Sequence, residues 1–366
     1  MKIVLTGGGT GGHIFPLVSI SRKIKDIEKN SNVFYIGPID PFIKNAFNKE
    51  GITIKTILSG KIRRYFSVNS LFQNIIDILF KIPLGFIQSV FLLLKIKPRF
   101  IFSKGGYGSI PVILAGKLLG IPIFLHESDS VAGLANKITG KFAKKIFISF
   151  PAKYIKGLPP KKLIHTGNPI REGILSKNIA LTQEIFCLNN KKPILLILGG
   201  SQGSKRINTL IIENLDYLLE NFEIIHQTGS IDYERIIKYK TRDYHVYDFL
   251  SEEEMGYALN CATCVISRSG SSSISEISIA GKPSILIPLP ESAQNHQFYN
   301  AIIYEKLKAC IVIEEKNFTK ENFINSLNRI TDFKDGITFR TAAKNFDKGN
   351  ATKIIVEKIL EEINDQ

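Results

Sequence analysis

The chain has 366 residues, 44% hydrophobic and 22% charged; this is ordinary globular composition, which excludes a chain disordered throughout, and the length favours two domains because single cores stop growing near roughly 250–300 residues. The formal net charge of +15 points to anionic partners, whether phosphorylated ligands, nucleic acid or an anionic membrane. Lys, Ile and Asn are abundant along the whole chain, so charge alone selects none of them.

The first apolar run, Ile3–Thr6, feeds Gly7-Gly8-Gly9-Thr10-Gly11-Gly12 and then His13. Gly7, Gly9 and Gly12 match GxGxxG. Two readings fit: a tight turn, or a loop whose backbone approaches an anion beside a helix N-terminus carrying roughly half a positive charge. A dinucleotide site also wants an acidic residue at the end of the second strand. The second run, Val33–Ile36, ends in Gly37-Pro38 with Asp40 the nearest acid, which weighs against that site. His13 is either a structural residue bonding the loop or a base, since imidazole titrates at pH ~6.5.

Lys61 to Arg99 holds seven basic residues and one acid, Asp77, around a dense apolar set that includes Leu71, Phe72, Leu79, Phe80, Phe86, Phe91 and Leu94. Pro83 predicts a break into two helical pieces. Such a segment lies in the plane of an anionic membrane, or both pieces are core helices of the first domain.

Phe100–Phe102, Ile123–Leu125 and Lys145–Ile148 read as further buried strands, spaced for crossover helices, so a parallel sheet is expected. A glycine loop, Ser103-Lys104-Gly105-Gly106-Tyr107-Gly108-Ser109, follows the first of them and can cradle phosphate. Thr166-Gly167-Asn168-Pro169-Ile170-Arg171 has turn chemistry and predicts the join between domains. The pattern then restarts, with Ile194–Leu198, Glu223–His226, His245–Tyr247, Cys264–Ser267 and Ser284–Ile287 as strands. Ile194–Leu198 again runs into a glycine loop, Gly199-Gly200-Ser201-Gln202-Gly203. After Cys264–Ser267 comes Arg268-Ser269-Gly270-Ser271-Ser272-Ser273-Ile274-Ser275-Glu276, where Ser273 and Glu276 fit a capping box, or Glu276 accepts both hydroxyls of a ribose. Thr352–Ile363 is an amphipathic helix with Ile354, Ile355, Ile359 and Ile363 on one face, able to return to the first domain.

No apolar core of signal length stands at the N-terminus, and the longest uncharged apolar run, Ile82 to Leu94, has 13 residues against the ~20 that span a bilayer. A soluble or membrane-surface protein is expected. Of four cysteines, Cys261 and Cys264 have CxxC spacing, but Cys187 and Cys310 stand alone. No second pair completes a zinc site, and buried reduced thiols are expected.

These motifs in this order resemble the MurG family of bacterial UDP-N-acetylglucosamine transferases, over nearly the whole chain. The resemblance rests on Gly8-Gly9-Thr10-Gly11-Gly12-His13-Ile14-Phe15-Pro16, Gly105-Gly106-Tyr107, His126-Glu127, Ala132-Gly133-Leu134-Ala135-Asn136-Lys137, Gly167-Asn168-Pro169-Ile170-Arg171, Gly199-Gly200-Ser201-Gln202-Gly203, Arg268-Ser269-Gly270, Ser275-Glu276, and Gln297 with Asn300-Ala301. Each motif is weak alone; the ordered set is specific.

The resemblance implies a GT-B architecture: two Rossmann-like, doubly wound α/β domains with a cleft between them. Residues 1–166, with a C-terminal helix from about 345–366, would form an acceptor-binding, membrane-associating domain, and 167–344 the donor domain. The implied reaction moves N-acetylglucosamine from UDP-N-acetylglucosamine to the C4 hydroxyl of the muramyl sugar of lipid I, with inversion, giving lipid II. By carry-over, the backbone around Leu250 reads uracil, Glu276 holds the ribose, Ser201 and Ser271 to Ser273 face the diphosphate, with Ile274 and Ser275 in the same stretch, and Gln297 meets the sugar. Thr10, Gly11, Gly12, Asp129 and Arg171 match further donor-site positions. Gly105, Gly106 and Tyr107 would meet the acceptor. His13 is the expected base, with Glu127 or Asp129 serving instead or orienting it.

Two departures stand out. Asp129 replaces a frequent Asn, adding negative charge and losing an amide donor; Ser271-Ser272-Ser273 replaces a more apolar stretch. No metal cluster or cofactor is expected, the leaving diphosphate being met by loop N–H groups, helix N-termini and Arg171. Expected partners are UDP-N-acetylglucosamine, lipid I, an anionic membrane surface through Lys61–Arg99 at the cytoplasmic face, and a cell-wall synthesis complex, with no nucleic acid. Three competitors remain: a UDP-N-acetylglucosamine 2-epimerase, which needs no membrane segment; an NAD-dependent dehydrogenase, which leaves the second glycine loop and Glu276 unexplained; and a non-catalytic binding subunit, which has no use for His13.

Overall fold

The computed structural model describes residues 1–8, 11–39, 41–60, 68–175, 179–189, 191–200 and 203–365. The chain divides into two compact units, Met1–Pro169 with Asn350–Gln366, and Ile170–Gly349. Each is a parallel sheet flanked by helices.

The first unit carries β1 (Lys2–Thr6), β2 (Asn32–Gly37), β3 (Thr53–Thr56), β4 (Ile101–Ser103), β5 (Ile123–Glu127), β6 (Lys145–Ile148) and β7 (Leu163–His165). Their order across the sheet is β3-β2-β1-β4-β5-β6-β7, all parallel. The second carries β8 (Ile194–Leu198), β9 (Glu223–Gln227), β10 (Tyr244–Tyr247), β11 (Cys264–Ser267), β12 (Ser284–Leu286) and β13 (Ile311–Val312), ordered β10-β9-β8-β11-β12-β13 and again all parallel. Each apolar run read as a strand is one. The strands that sequence patterning misses, β3, β7 and β13, are edge strands. β3 reads Thr-Ile-Lys-Thr and is largely exposed, as an edge strand covered on fewer sides can be, and β13 is only two residues long.

One core packs Ile3, Leu5, Phe102, Phe124 and Phe147 of the first sheet against Ile14, Leu17 and Ile20 of the helix Gly11–Ile27. The C-terminal helix Ala351–Asn364 joins this core through Ile355, Val356, Ile359 and Ile363. Val356, rather than the half-buried Ile354, completes its buried face. The second core gathers Leu195, Ile197, Ile224, Tyr244, Ile266 and Ile285 with Ile207, Phe323 and Phe339 from its helices.

The basic, apolar segment corrects two expectations. Pro83 does not divide it: Val68–Ile76, a π-turn at Asp77–Lys81 and Ile82–Ile96 follow one another without a break. The Ile82 N–H reaches back to Asp77 O, an i→i−5 bond, and the wider turn accommodates a proline at the second position of the last piece. Nor are these pieces core helices. From Phe72 to Ile96 the run has 25 residues and is long and apolar enough to cross a membrane by length and composition. Within Ile82–Ile96 the buried stripe is narrow, formed by Gly85, Ser89, Leu93 and Ile96 beside the helix Ile110–Leu118, and Asp77 is buried just upstream. Gly85 allows a close approach to the chain before this segment: a Cβ there would stand 1.9 Å from the Leu58 carbonyl oxygen. The larger side chains point outward, with Phe91 70% and Phe72 64% exposed.

The cysteines correct a third. Cys264 and Cys310 are buried and Cys261 partly so, but Cys187 is exposed; none is in a disulfide. Burial pushes the Cys261 and Cys264 thiols up to about 12, which leaves them unreactive as nucleophiles near neutrality.

Candidate active site

Strand order decides where ligands can bind. In each sheet the connections reverse direction at one place, between β1 and β4 in the first unit and between β8 and β11 in the second. Open α/β sheets leave a crevice at that switch point, beyond the carboxyl ends of the strands. The loops beginning at Gly7, Lys104, Gly199 and Arg268 follow these four strands.

In the first unit, the loop after β1 and the loop after β4 touch backbone to backbone. A Cβ on Gly106 would lie 2.8 Å from Gly8 N and Cα, and its φ of 82° is itself a glycine conformation. The buried Tyr35 hydroxyl, at the end of β2, lies 3.1 Å from Gly7 O and 3.0 Å from Pro38 O, within reach of either acceptor. Gly11, Gly12 and His13 open the helix Gly11–Ile27, and His13 is half-buried in its first turn. Thr10 lies outside the described residues. Gly105 is buried, and Gly106 and Tyr107 are half-exposed at the start of a short 3-10 turn.

Glu127, at the end of β5, is buried, and both its oxygens are engaged. Its Oε1 accepts the Asp129 N–H at 3.1 Å; Oε2 accepts the Gly133 N–H and Asn136 Nδ2, both at 2.9 Å. The carboxylate therefore clamps the loop 128–136. Burial, and then the charge of Asp129, raise its pKa. Lys104, 3% exposed, is the residue that sequence reasoning passes over. Its Nζ is 2.6 Å from His126 Nδ1 and 3.0 Å from Asn168 Oδ1, and it donates to Ser128 Oγ. Burial drives the ammonium down to about 7, against the carboxylates of Glu127 and Asp129, which hold it up. His126 is kept well below its usual range by burial and then by the Lys104 charge, so its ring is neutral. Its Nε2 then donates to Gly167 O at 3.1 Å, and Nδ1 accepts from Lys104.

In the second unit, Arg171 Nη2 lies 3.1 Å from Glu276 Oε1. Glu276 is in the second turn of the helix Ser271–Ala280, whose N-cap is Gly270. This corrects the capping-box reading: Ser273 is inside the helix, too late to cap it, and Glu276 turns to an arginine 105 residues away. The N-cap Gly270 gives this helix no side-chain cap, and a helix start of this kind suits an anion. Ile274 and Ser275 are buried behind it. Ser201 and Gln202 lie outside the described residues, while Gly200 and Gly203 adopt φ of 88° and 77° on either side of them.

Arg268 fixes this region from behind. It donates to Ile287 O at 3.0 Å and to Ser204 Oγ at 2.8 Å, and pairs with Glu315 at 2.6 Å. Ser204 is the N-cap of the helix that follows the glycine loop. Gln297 Oε1 accepts the Leu289 N–H at 3.1 Å, and its own carbonyl accepts from Ser269 Oγ at 2.9 Å. Leu250 is buried, its N–H given to Gln227 Oε1 at 3.2 Å. Among the described residues, no group of three or more His, Cys, Asp or Glu is placed to hold a metal ion.

Residues 3–148 match the glycosyltransferase family 28 N-terminal domain and residues 194–358 its C-terminal domain. The chain is 38% identical over 330 residues to a UDP-N-acetylglucosamine–N-acetylmuramyl-(pentapeptide) pyrophosphoryl-undecaprenol N-acetylglucosamine transferase of Clostridium tetani, covering 89% of each. A Bacillus cereus protein of the same description is 36% identical over 361 residues, 98% of this chain and 99% of its own. In fold, the chain is similar to Acinetobacter baumannii MurG, with a TM-score of 0.76 at 24% identity over 98% of this chain and 99% of that one. The Neisseria meningitidis UDP-GlcNAc 2-epimerase shares the fold at a TM-score of 0.67, with 15% identity over 99% of this chain and 100% of that one.

Proposed function

The chain belongs to glycosyltransferase family 28, among the N-acetylglucosaminyltransferases of lipid-linked N-acetylmuramyl-pentapeptide, and we propose that it moves N-acetylglucosamine from UDP-N-acetylglucosamine to the muramyl sugar of lipid I, forming lipid II. The observation that carries this reading is full-length similarity, at 36–38% identity, to relatives all described by that one reaction. The epimerase alternative is similar in fold at far lower identity.

The chemistry is one displacement. The muramyl C4 hydroxyl oxygen attacks C1 of the sugar, the C1–O bond to UDP breaks, and the hydroxyl proton passes to a base. His13, at the mouth of the first glycine loop, is that base. Glu127 has its oxygens engaged by three N–H donors and acts as a positioning group for the loop around Asp129. UDP leaves with its charge, which falls on the loop after β8 and on the first turn of Ser271–Ala280. Preorganised dipoles of this kind are often the largest catalytic contribution. Glu276, oriented by Arg171, receives the ribose hydroxyls; the backbone at Leu250 reads the uracil, and Gln297 the sugar. Thr10, Gly11, Gly12 and Ser201 complete the phosphate-side contacts, with Gly105, Gly106 and Tyr107 toward the acceptor diphosphate.

The exposed apolar face from Phe72 to Leu94, flanked by basic residues, seats the protein on the cytoplasmic surface of an anionic membrane, where the lipid acceptor lies. His13→Ala tests the assignment of the base. It should lower kcat by about 10²–10⁴-fold while the affinity for UDP stays near wild type. Turnover that survives with weakened UDP binding would give His13 a donor-binding role instead.

A further inference from the structure

We infer that Gln227 is a spacer that fixes the distance between the base-reading and diphosphate-reading loops of the donor site, so that nucleoside and diphosphate are recognised as one unit. The inference rests on the donor-site reading above.

Gln227 ends β9 and is 3% exposed. Its amide reaches in two directions. Oε1 accepts the Leu250 N–H at 3.2 Å, and Nε2 donates to Gly200 O at 3.3 Å. One amide orientation satisfies both contacts; the flipped one would set a donor against an N–H and an acceptor against a carbonyl. Leu250 belongs to the loop after β10, and Gly200 to the loop after β8, with β9 lying between those strands. A side chain at the end of the middle strand is therefore the shortest link between the two outer loops.

The neighbouring contacts explain why the link matters. Gly200 O also accepts the Gly203 N–H at 3.0 Å, so these two glycines are joined to each other and then tied to Gln227. Gly203 rests directly on the chain just after β9, where a Cβ would stand 2.1 Å from Thr228 O and 2.7 Å from Gly229 Cα. Beyond β10, the Leu250 backbone leads straight into the helix Glu252–Cys261, whose start is fixed by the Ser251 and Glu254 capping box. Gly200 with Gly203, and Leu250 with the helix that follows it, are thus each anchored by their own contacts, and Gln227 sets their separation. A ligand touching both gains from that fixed spacing, because the ordering cost is met before binding. A ligand touching one loop gains nothing from it. Gln227 touches no reacting atom in this scheme; it is a positioning residue.

Gln227→Met keeps the length, removes both hydrogen bonds and adds no charge. Binding of UDP, uridine and inorganic pyrophosphate is measured by calorimetry or by competition on the full chain. UDP should weaken by about tenfold in the variant, while uridine and pyrophosphate each stay within about threefold, and Tm within about 2 °C. Gln227→Glu keeps the Leu250 bond but sets a carboxylate oxygen against the Gly200 carbonyl; it should weaken pyrophosphate as well as UDP and spare uridine. Unchanged UDP affinity in Gln227→Met would overturn the inference. So would a proportionate loss of all three ligands, which would make Gln227 a residue of the fold alone. Wild-type protein that fails to bind UDP at all would instead overturn the donor-site reading, and the spacer with it.

Discussion

Arg171 and Glu276 meet through both nitrogens of one guanidinium edge and a single carboxylate oxygen: Nε lies 3.3 Å and Nη2 3.1 Å from Glu276 Oε1. The two stand 105 residues apart. Their pairing makes the arginine an orienting group for the carboxylate. Both side chains are about one-tenth exposed, so the pair is shielded enough to hold its geometry and open enough to meet a ligand.

Glu276→Ala should therefore weaken UDP by about tenfold or more, the loss of a charge-assisted hydrogen bond to each hydroxyl. It should also abolish the preference for UDP over 2′-deoxy-UDP. Arg171→Ala should act through the same carboxylate, so the double variant should lose less than the sum of the single losses. A preference for the ribonucleotide that survives in Glu276→Ala would remove the ribose from this residue.

The outward face of Phe72–Ile96 makes a second prediction. Leu79, Phe80 and Phe91 are exposed at 60% or more, and burying such side chains is worth ~1.5–3 kcal/mol each when complete. Changing all three to Ser should reduce sedimentation with anionic phospholipid vesicles by about tenfold or more and leave UDP affinity intact. Wild-type binding should fall as salt is raised. Equal sedimentation of the triple variant and the wild type would assign membrane contact elsewhere.

Acid should loosen the second unit through His226. Its Nδ1 faces the Tyr244 hydroxyl at 2.7 Å and its Nε2 faces Asn208 Oδ1 at 3.0 Å, and burial lowers its pKa to about 3. The folded ring stays neutral while the unfolded one takes a proton near pH ~6.5. The unfolded state then binds more protons below that pH, so stability is complete above it and is lost as pH falls toward 3, by up to ~1.4 kcal/mol per unit. Urea unfolding between pH 7 and 4 should show a shallower loss in His226→Gln than in wild type. Parallel curves would mean that another group carries the acid sensitivity.

Much of this fold is legible in the sequence because its central strands are short apolar runs ending in glycine. Leu195 to Leu198 need no partner to be recognised as buried. What escapes is what depends on the order of strands. Gln227 bridges loops that follow β8 and β10, and Lys104 binds His126 within β5 and Asn168 after β7; neither relation exists until the sheets are assembled. Local pattern can also mislead. Ser273 and Glu276 have capping-box spacing, yet the helix starts two residues before Ser273, and a distant arginine claims the glutamate. Pro83 has the sequence signature of a break, yet a π-turn just upstream lets the helix continue.

The most direct measurement follows radiolabel from UDP-N-acetylglucosamine in the presence of a lipid I analogue. The transferase account predicts labelled disaccharide-lipid and free UDP in equal amounts, β-linked, formed only when acceptor is present and lost with His13→Ala. Donor consumed without acceptor, yielding the 2-epimer, would contradict it, as would tight UDP binding with no lipid product.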